Sequence, residues 1–128
     1  FGGVAGHIYV TNKEQDNGLF SRLVMPYNYS AVTAACLMVS ADKFKQVQGF
    51  DETLKVALND VDLNLKMLKA GYYNVCLSHL TAIHYETKTR GYEASKEKHQ
   101  RFLQEQAYMK EKWGATLDRD PYFSPNNF

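Results

Sequence analysis

The sequence predicts an α/β domain, and three features carry that expectation. Ala31 to Val39 is a continuous apolar run, of the kind a strand covered on both faces would have. Asp60 to Ala70 has acids in its first turn, lysines in its last and Gly71 behind it, the charge order that a helix dipole prefers. Glu93 to about Trp113 repeats apolar residues at helical spacing. Strand, helix, strand, strand, helix is an α/β order.

Taken along the chain, residues 1–30 are rich in glycine, asparagine, tyrosine and serine and predict loops, with one short strand near His7 to Val10. After the apolar run, Ser40 is placed as the N-cap of a short helix over Ala41 to Val47, which Gly49 stops. Asn59 is placed as the cap of the next helix. Tyr72 to Leu77 and Thr81 to Glu86 predict two short strands, and alternation in the second puts His84 and Glu86 on one face. In the last helix Phe102, Met109 and Trp113 form one stripe, while Glu97, Arg101 and Glu105 make i,i+4 pairs on the solvent side. Cys36 and Cys76 each lie within apolar residues and are expected as buried, reduced thiols, which points to the cytosol.

Composition narrows the function. With 128 residues, 45% hydrophobic and 23% charged, residues 1–128 suit a single domain. A net charge of +1 gives no electrostatic footprint for nucleic acid. No apolar run approaches the ~20 residues of a membrane span, so the expected place is cytoplasmic, or peripheral at the inner face of a membrane. The chain starts at Phe1 rather than methionine, which suggests a piece of a longer protein. In such a piece the edge of the Ala31 to Val39 strand would be unpaired, so a homodimer is expected.

Several side chains are candidates for chemistry. Asp60 and Asp62, two residues apart on a helix, diverge by about 200° and cannot act as a paired acid and base. Asp62 has Lys66 one turn on and reads as a surface ion pair. Asp60 reads either as a helix-dipole acid or as a carboxylate able to take a proton from a substrate hydroxyl, and spacing alone favours the first. His84 with Glu86 offers two metal-ligand types on one strand face, too few for a site. Arg90 beside Gly91 suits a diphosphate.

The order of motifs changes that balance. Asn28 to Val39, then Gly49-Phe50-Asp51-Glu52, then Asn59-Asp60-Val61-Asp62-Leu63, then Ala70-Gly71-Tyr72, then His84 to Gly91, resembles the C-terminal half of family 2 glycosyltransferases. It is most similar to bacterial members that build O-antigen, rhamnan and related surface polysaccharides, with Arg101-Phe102 to Trp113 and Asp120-Pro121-Tyr122 also in place. The resemblance implies the acceptor side of a GT-A fold with a mixed sheet, a nucleotide-sugar donor, a saccharide acceptor, lipid-linked or free, a Mg²⁺ or Mn²⁺ ion, and inversion at the anomeric carbon. It implies Asp60 as general base and His84 as a metal ligand. Asp51 and Glu52 would lie near the acceptor, Arg90 near the diphosphate, and Thr33 with Ala34 near the donor sugar. Asn59 and Glu86, which flank those positions in the motifs, join the substrate-binding set.

The chain departs from the family where Ala34 and Gln48 replace glycine, His79 replaces proline and Thr87 replaces serine. The family's nucleotide-binding half and its metal-binding DxD have no counterpart in these residues. A second reading is a non-catalytic carbohydrate-binding or assembly module, consistent with 13% aromatic residues and nine tyrosines.

Overall fold

The chain's strongest helix signal is also its structural centre. The computed structural model describes residues 4–9, 13, 16–84 and 96–122. In chain order its elements are β1 (Tyr27–Tyr29), α1 (Ala41–Gln46), α2 (Asn59–Lys69), β2 (Asn74–Cys76) and α3 (Lys96–Leu117), with 3-10 turns at Leu19–Ser21 and Ala34–Cys36. The result is a small α/β domain. Among the described residues its sheet is the antiparallel pair β1 and β2, with Tyr27 opposite Cys76 and Tyr29 opposite Asn74. No helix is long and apolar enough to cross a membrane among these residues.

Helix ends follow local chemistry. Ser40 caps α1 by accepting the Lys43 amide, as its residue type predicts. The exit from α1 takes Gln48 through φ 63° and Gly49 through φ 59°, with the Gly49 amide closing back on the Phe44 carbonyl at 2.8 Å. Gln48, one of the positions where the resemblance expects glycine, therefore holds a left-handed backbone that glycine takes without strain. Gly71, at φ 86°, ends α2 in the same manner. The start of α2 differs from expectation: Leu58, not Asn59, is the cap, at φ 61° and without a side-chain cap bond. Asn59 instead turns its Oδ1 to accept the Asp60 amide.

The largest correction concerns Ala31 to Val39. These residues form no strand; Thr33 is extended, Ala34–Cys36 is a 3-10 turn, and the backbone is extended again at Leu37. Their backbone groups find side chains in place of a neighbouring strand. Asn74 Nδ2 donates to the Ser30 carbonyl at 3.1 Å and Asn64 Nδ2 to the Val32 carbonyl at 2.9 Å, while the Ala34 amide donates to Asp60 Oδ2 at 3.0 Å. Without a strand, the edge that motivated a homodimer is absent. Cys36 is exposed and Cys76 half-buried, so the expected buried thiol pair does not form. Thr81 to His84 is coil, and the rest of that predicted strand lies outside the described residues, as does Val10; His7 to Tyr9 carries no strand.

Two apolar clusters flank α2. Leu65 packs with Leu54, Met109 and Trp113 on the α3 side, and Leu63 and Met67 pack with Val47 on the α1 side. Met109 and Trp113 thus bury as the helical stripe predicted, whereas Phe102 stays 40% exposed. Glu105 is the sharper departure. It is buried, and its carboxylate accepts the Val56 amide at 3.3 Å and the Ala57 amide at 2.8 Å, not a solvent-side ion pair.

Asp62 is fully buried too, where a surface pair was expected. Its partner Lys66 is in place, 3.3 Å from Oδ2, and that ammonium also donates to the Gly49 carbonyl. Oδ1 accepts from Trp113 Nε1 at 2.8 Å and pairs with Lys112 at 2.8 Å. Lys112 reaches on to Asp51 Oδ2 at 2.6 Å, where the Tyr108 hydroxyl also donates at 2.6 Å. Removing one partner from a buried charge set strands the others, at about 3–5 kcal/mol. Asp62→Ala is therefore expected to lower stability by about that much, read from the midpoint of chemical unfolding.

The same network fixes a pH dependence. The hydrogen bond from Lys112, then those from Tyr108 and the Thr53 amide, hold the Asp51 carboxyl well below the usual carboxylate range. Burial works against the charge on Lys112, but its bonds to Asp51 and Asp62 outweigh burial and hold it above the ordinary lysine value. Asp51 therefore adds stability above an unfolded value of ~3.9, and loses it as pH falls toward the depressed folded one. Lys112 contributes fully below ~10.4 and loses its share as pH rises through its folded value. Asp51→Asn is expected to lower the thermal midpoint by a constant amount across neutral pH, with the gap to wild type closing below about pH 4. A gap that stays constant into acid would contradict the Asp51–Lys112 pairing.

Candidate functional site

Asp60 is the second residue of α2, and the left-handed turn at Leu58 delivers the chain into the helix just before it. Its carboxylate is half-buried and folds over the helix start: Oδ1 accepts the Val61 amide at 2.9 Å and Oδ2 the Ala34 amide at 3.0 Å. Each carboxylate oxygen has two acceptor positions, so a lone-pair direction remains on each for an incoming hydroxyl. One helical turn on, Asn64 donates from Nδ2 to the Asp60 carbonyl at 2.7 Å and to the Val32 carbonyl. The helix and the 30–34 segment are thereby stapled on either side of the acid. Thr33 Oγ1 accepts the Ala35 amide at 3.3 Å, which shapes the turn that aims the Ala34 amide at Asp60.

Of the residues singled out from sequence, the structure brings Thr33, Ala34, Asn59 and Asp60 together at this corner. Asp51 belongs elsewhere in the local wiring: its carboxylate is taken by Lys112, Tyr108 and the Thr53 amide, on the side of α2 that carries Asp62. Glu52 is exposed in the turn that follows. His84 is exposed in coil beyond β2, while Glu86 and Arg90 lie outside the described residues. Asp60 and Asp62 do diverge, one to Ala34 and the other to Trp113.

The metal that the resemblance implies needs a donor set. Among the described residues no group of three His, Cys, Asp or Glu side chains is gathered closely enough to hold an ion. Both oxygens of Asp60 already accept backbone amides, from Val61 and Ala34. These residues do not by themselves make a metal centre.

Beside the corner a groove of about 210 Å³ opens, with Val32, Val39, Leu63, Asn64, Tyr73 and Val75 in its walls. Asp60 is not among its lining residues, so groove and acid are neighbours through Val32 and Asn64 and not one cavity. Asn64, Asn74, Glu105 and Lys112 were missed from sequence. Asn64 had a signal, since i+4 from Asp60 shares its helix face; Glu105 and Lys112 fall within the Arg101 to Trp113 segment of the resemblance, but their partners are distant in the chain and spacing does not reveal them.

Comparison with known proteins gives the corner a context. The chain is 44% identical over 126 residues, 98% of its length, to the uncharacterized protein y4gI of Sinorhizobium fredii. It is 32% identical over 99 residues, 77% of its length, to the O-antigen biosynthesis protein RfbC of Myxococcus xanthus. Over 60 residues, 47% of its length, it is 33% identical to the N-acetylglucosaminyl-diphospho-decaprenol L-rhamnosyltransferase of Mycobacterium tuberculosis. The chain spans 14%, 8% and 20% of the lengths of these relatives. No family model matches it, and no solved structure does. RfbC and the rhamnosyltransferase, as partial homologues, support a relationship to glycosyltransferases.

Proposed function

We propose that the chain supplies the acceptor side of an inverting glycosyltransferase of the family 2, GT-A kind. In this reading a sugar passes from a nucleoside-diphosphate donor to a saccharide acceptor during assembly of a cell-surface polysaccharide. The single observation that carries the reading is the Asp60 carboxylate, half-buried at the start of α2 with its position set by the Ala34 and Val61 amides. The names of RfbC and of the mycobacterial rhamnosyltransferase support the substrate classes, and the decaprenol in the latter's name supports a lipid-linked acceptor.

The chemistry asked of this chain is small. Asp60 accepts the proton of an acceptor hydroxyl as the hydroxyl oxygen forms its bond to the anomeric carbon from the face opposite the leaving group. The bond from that carbon to the diphosphate oxygen breaks, and the nucleoside diphosphate leaves with its electron pair. Thr33 and Ala34 line the approach. A Mg²⁺ or Mn²⁺ ion would neutralise the diphosphate when bound; His84 is this chain's contribution to it in the proposal, and the remaining ligands lie outside these residues. Asp51, anchored by Lys112, shapes the acceptor loop, and Glu52, exposed beside it, is the one of the pair free to meet a sugar hydroxyl.

Asp60→Asn in the enzyme that carries this chain keeps the side-chain size and removes the basicity, and it sets an amide N–H against either the Val61 or the Ala34 donor. It is expected to lower kcat by about 10²- to 10⁴-fold with little change in the KM for donor. The measurement is steady-state transfer from a nucleotide-sugar to a saccharide acceptor. Full transfer by Asp60→Asn would sink the base assignment. Saccharide binding with no transfer from any donor, in the unmodified protein, would favour a binding module instead.

A further inference from the structure

We propose that Glu105 on α3 is a positioning residue, a carboxylate clamp that sets the entry turn of α2 and through it the aim of Asp60. The inference extends the reading of Asp60 as a base, but its geometry stands apart from that reading. Glu105 is 5% exposed, and its two oxygens are spent on consecutive backbone amides, Val56 at 3.3 Å and Ala57 at 2.8 Å. A buried carboxylate given wholly to loop amides is an uncommon use of a charge, and hydrogen bonds to an ionised acceptor are stronger than neutral ones.

The held turn is the one that needs holding. Leu58 follows directly, at φ 61°, a left-handed conformation that leucine rarely adopts, and its carbonyl accepts the Asp62 amide to start the helix. Leu58 offers no side-chain cap, and the first-turn amides of Asp60 and Val61 are met from within the helix by the side chains of Asn59 and Asp60. The clamp thus holds the chain just ahead of the cap position, and it does so from a different element. Its own position is rigid: Met109 and Trp113 lie one and two turns further along the same stripe of α3, both buried in the cluster with Leu65 of α2. Lys112 adds a second tie to Asp62 and Asp51. The turn is therefore pinned at Val56 and Ala57 by one helix and at Asp60 by the Ala34 amide. If the first pin slips, the second shifts with it.

Glu105→Gln is close to isosteric but offers one acceptor oxygen, and its amide would face the second backbone N–H donor to donor. Residue-resolved hydrogen exchange on the protein that carries this chain reads the clamp directly. In the unmodified protein the Val56 and Ala57 amides are expected to be protected relative to the exposed Lys55. In Glu105→Gln they should exchange at least about tenfold faster, and so should the Ala34 amide, while Leu65 and Met109 keep their protection. Transfer should lose about 10- to 100-fold in kcat per folded molecule, with donor KM unchanged, as expected of a misplaced catalytic group. Glu105→Asp, a methylene shorter, should give the same pattern and serves if the glutamine variant fails to fold.

Faster exchange at Val56 and Ala57 with the Ala34 amide unchanged would overturn the proposal, since the clamp would then be local and would not reach Asp60. Unchanged kcat per folded molecule with faster exchange at all three amides would overturn it as well. If Asp60→Asn retains full transfer, the base reading falls by itself, and the clamp is then decided by the three amides alone.

Discussion

A carboxylate with no solvent around it must be met by charge and by hydrogen-bond donors, and Asp62 imposes that demand on the whole domain. Lys66, Lys112 and the Trp113 indole meet it, two of them from α3. Docking α3 against α2 is therefore required for charge balance as well as for apolar burial. Because Lys112 also binds Asp51, the loop between α1 and α2 is drawn into the same set. Apolar contacts alone would permit α3 to slide or rotate about its axis; the indole and ammonium fix one register.

A second constraint acts on the opposite side of α2. Residues 30–34 have the apolar composition of a strand and no strand partner among the described residues, yet their polar backbone must be satisfied. Asn74, Asn64 and Asp60 perform that task at Ser30, Val32 and Ala34, alternate residues reached from β2 and α2. Asn74 also donates to the Asn64 carbonyl at 3.0 Å, which joins the staples to one another. The acid proposed to take a proton is thus one of three side chains standing in for a ladder, and its orientation is fixed by the same demand.

What was legible in the sequence follows from range. Caps and stops are local, and Ser40, Gly49 and Gly71 behave as their residue types require. The burial of Met109 and Trp113 followed from helical periodicity. Asn59 failed as a cap because Leu58 takes the left-handed turn first, and that turn follows two amides held by Glu105 some fifty positions away. The 31–39 run failed as a strand because periodicity reports burial and not pairing. Glu105 and Asp62 were assigned to solvent because charge at i,i+4 spacing looks the same on an exposed face as on one that another helix covers. At the candidate site, motif order singled out Asp60, Asn59, Thr33 and Ala34, which do meet. It could not separate Asp51 from Glu52, which adjoin in sequence and differ only in that Lys112 reaches one of them.

The Asp60-Val61-Asp62 segment shows how one short motif divides its labour. Two acids about 200° apart on a helix face different surroundings whatever the rest of the chain does. Here one is closed off by α3 and neutralised, and the other is left at the helix start against an open loop. The division is cooperative, because a helix clamped on one face by Lys112 and Trp113 cannot turn to relieve strain on the other. The buried acid thereby limits the freedom of the half-exposed one, and catalytic groups lose effectiveness over displacements of about 1 Å. If Asp60 is the base, as proposed, that rigidity holds its carboxylate in one place relative to an acceptor hydroxyl.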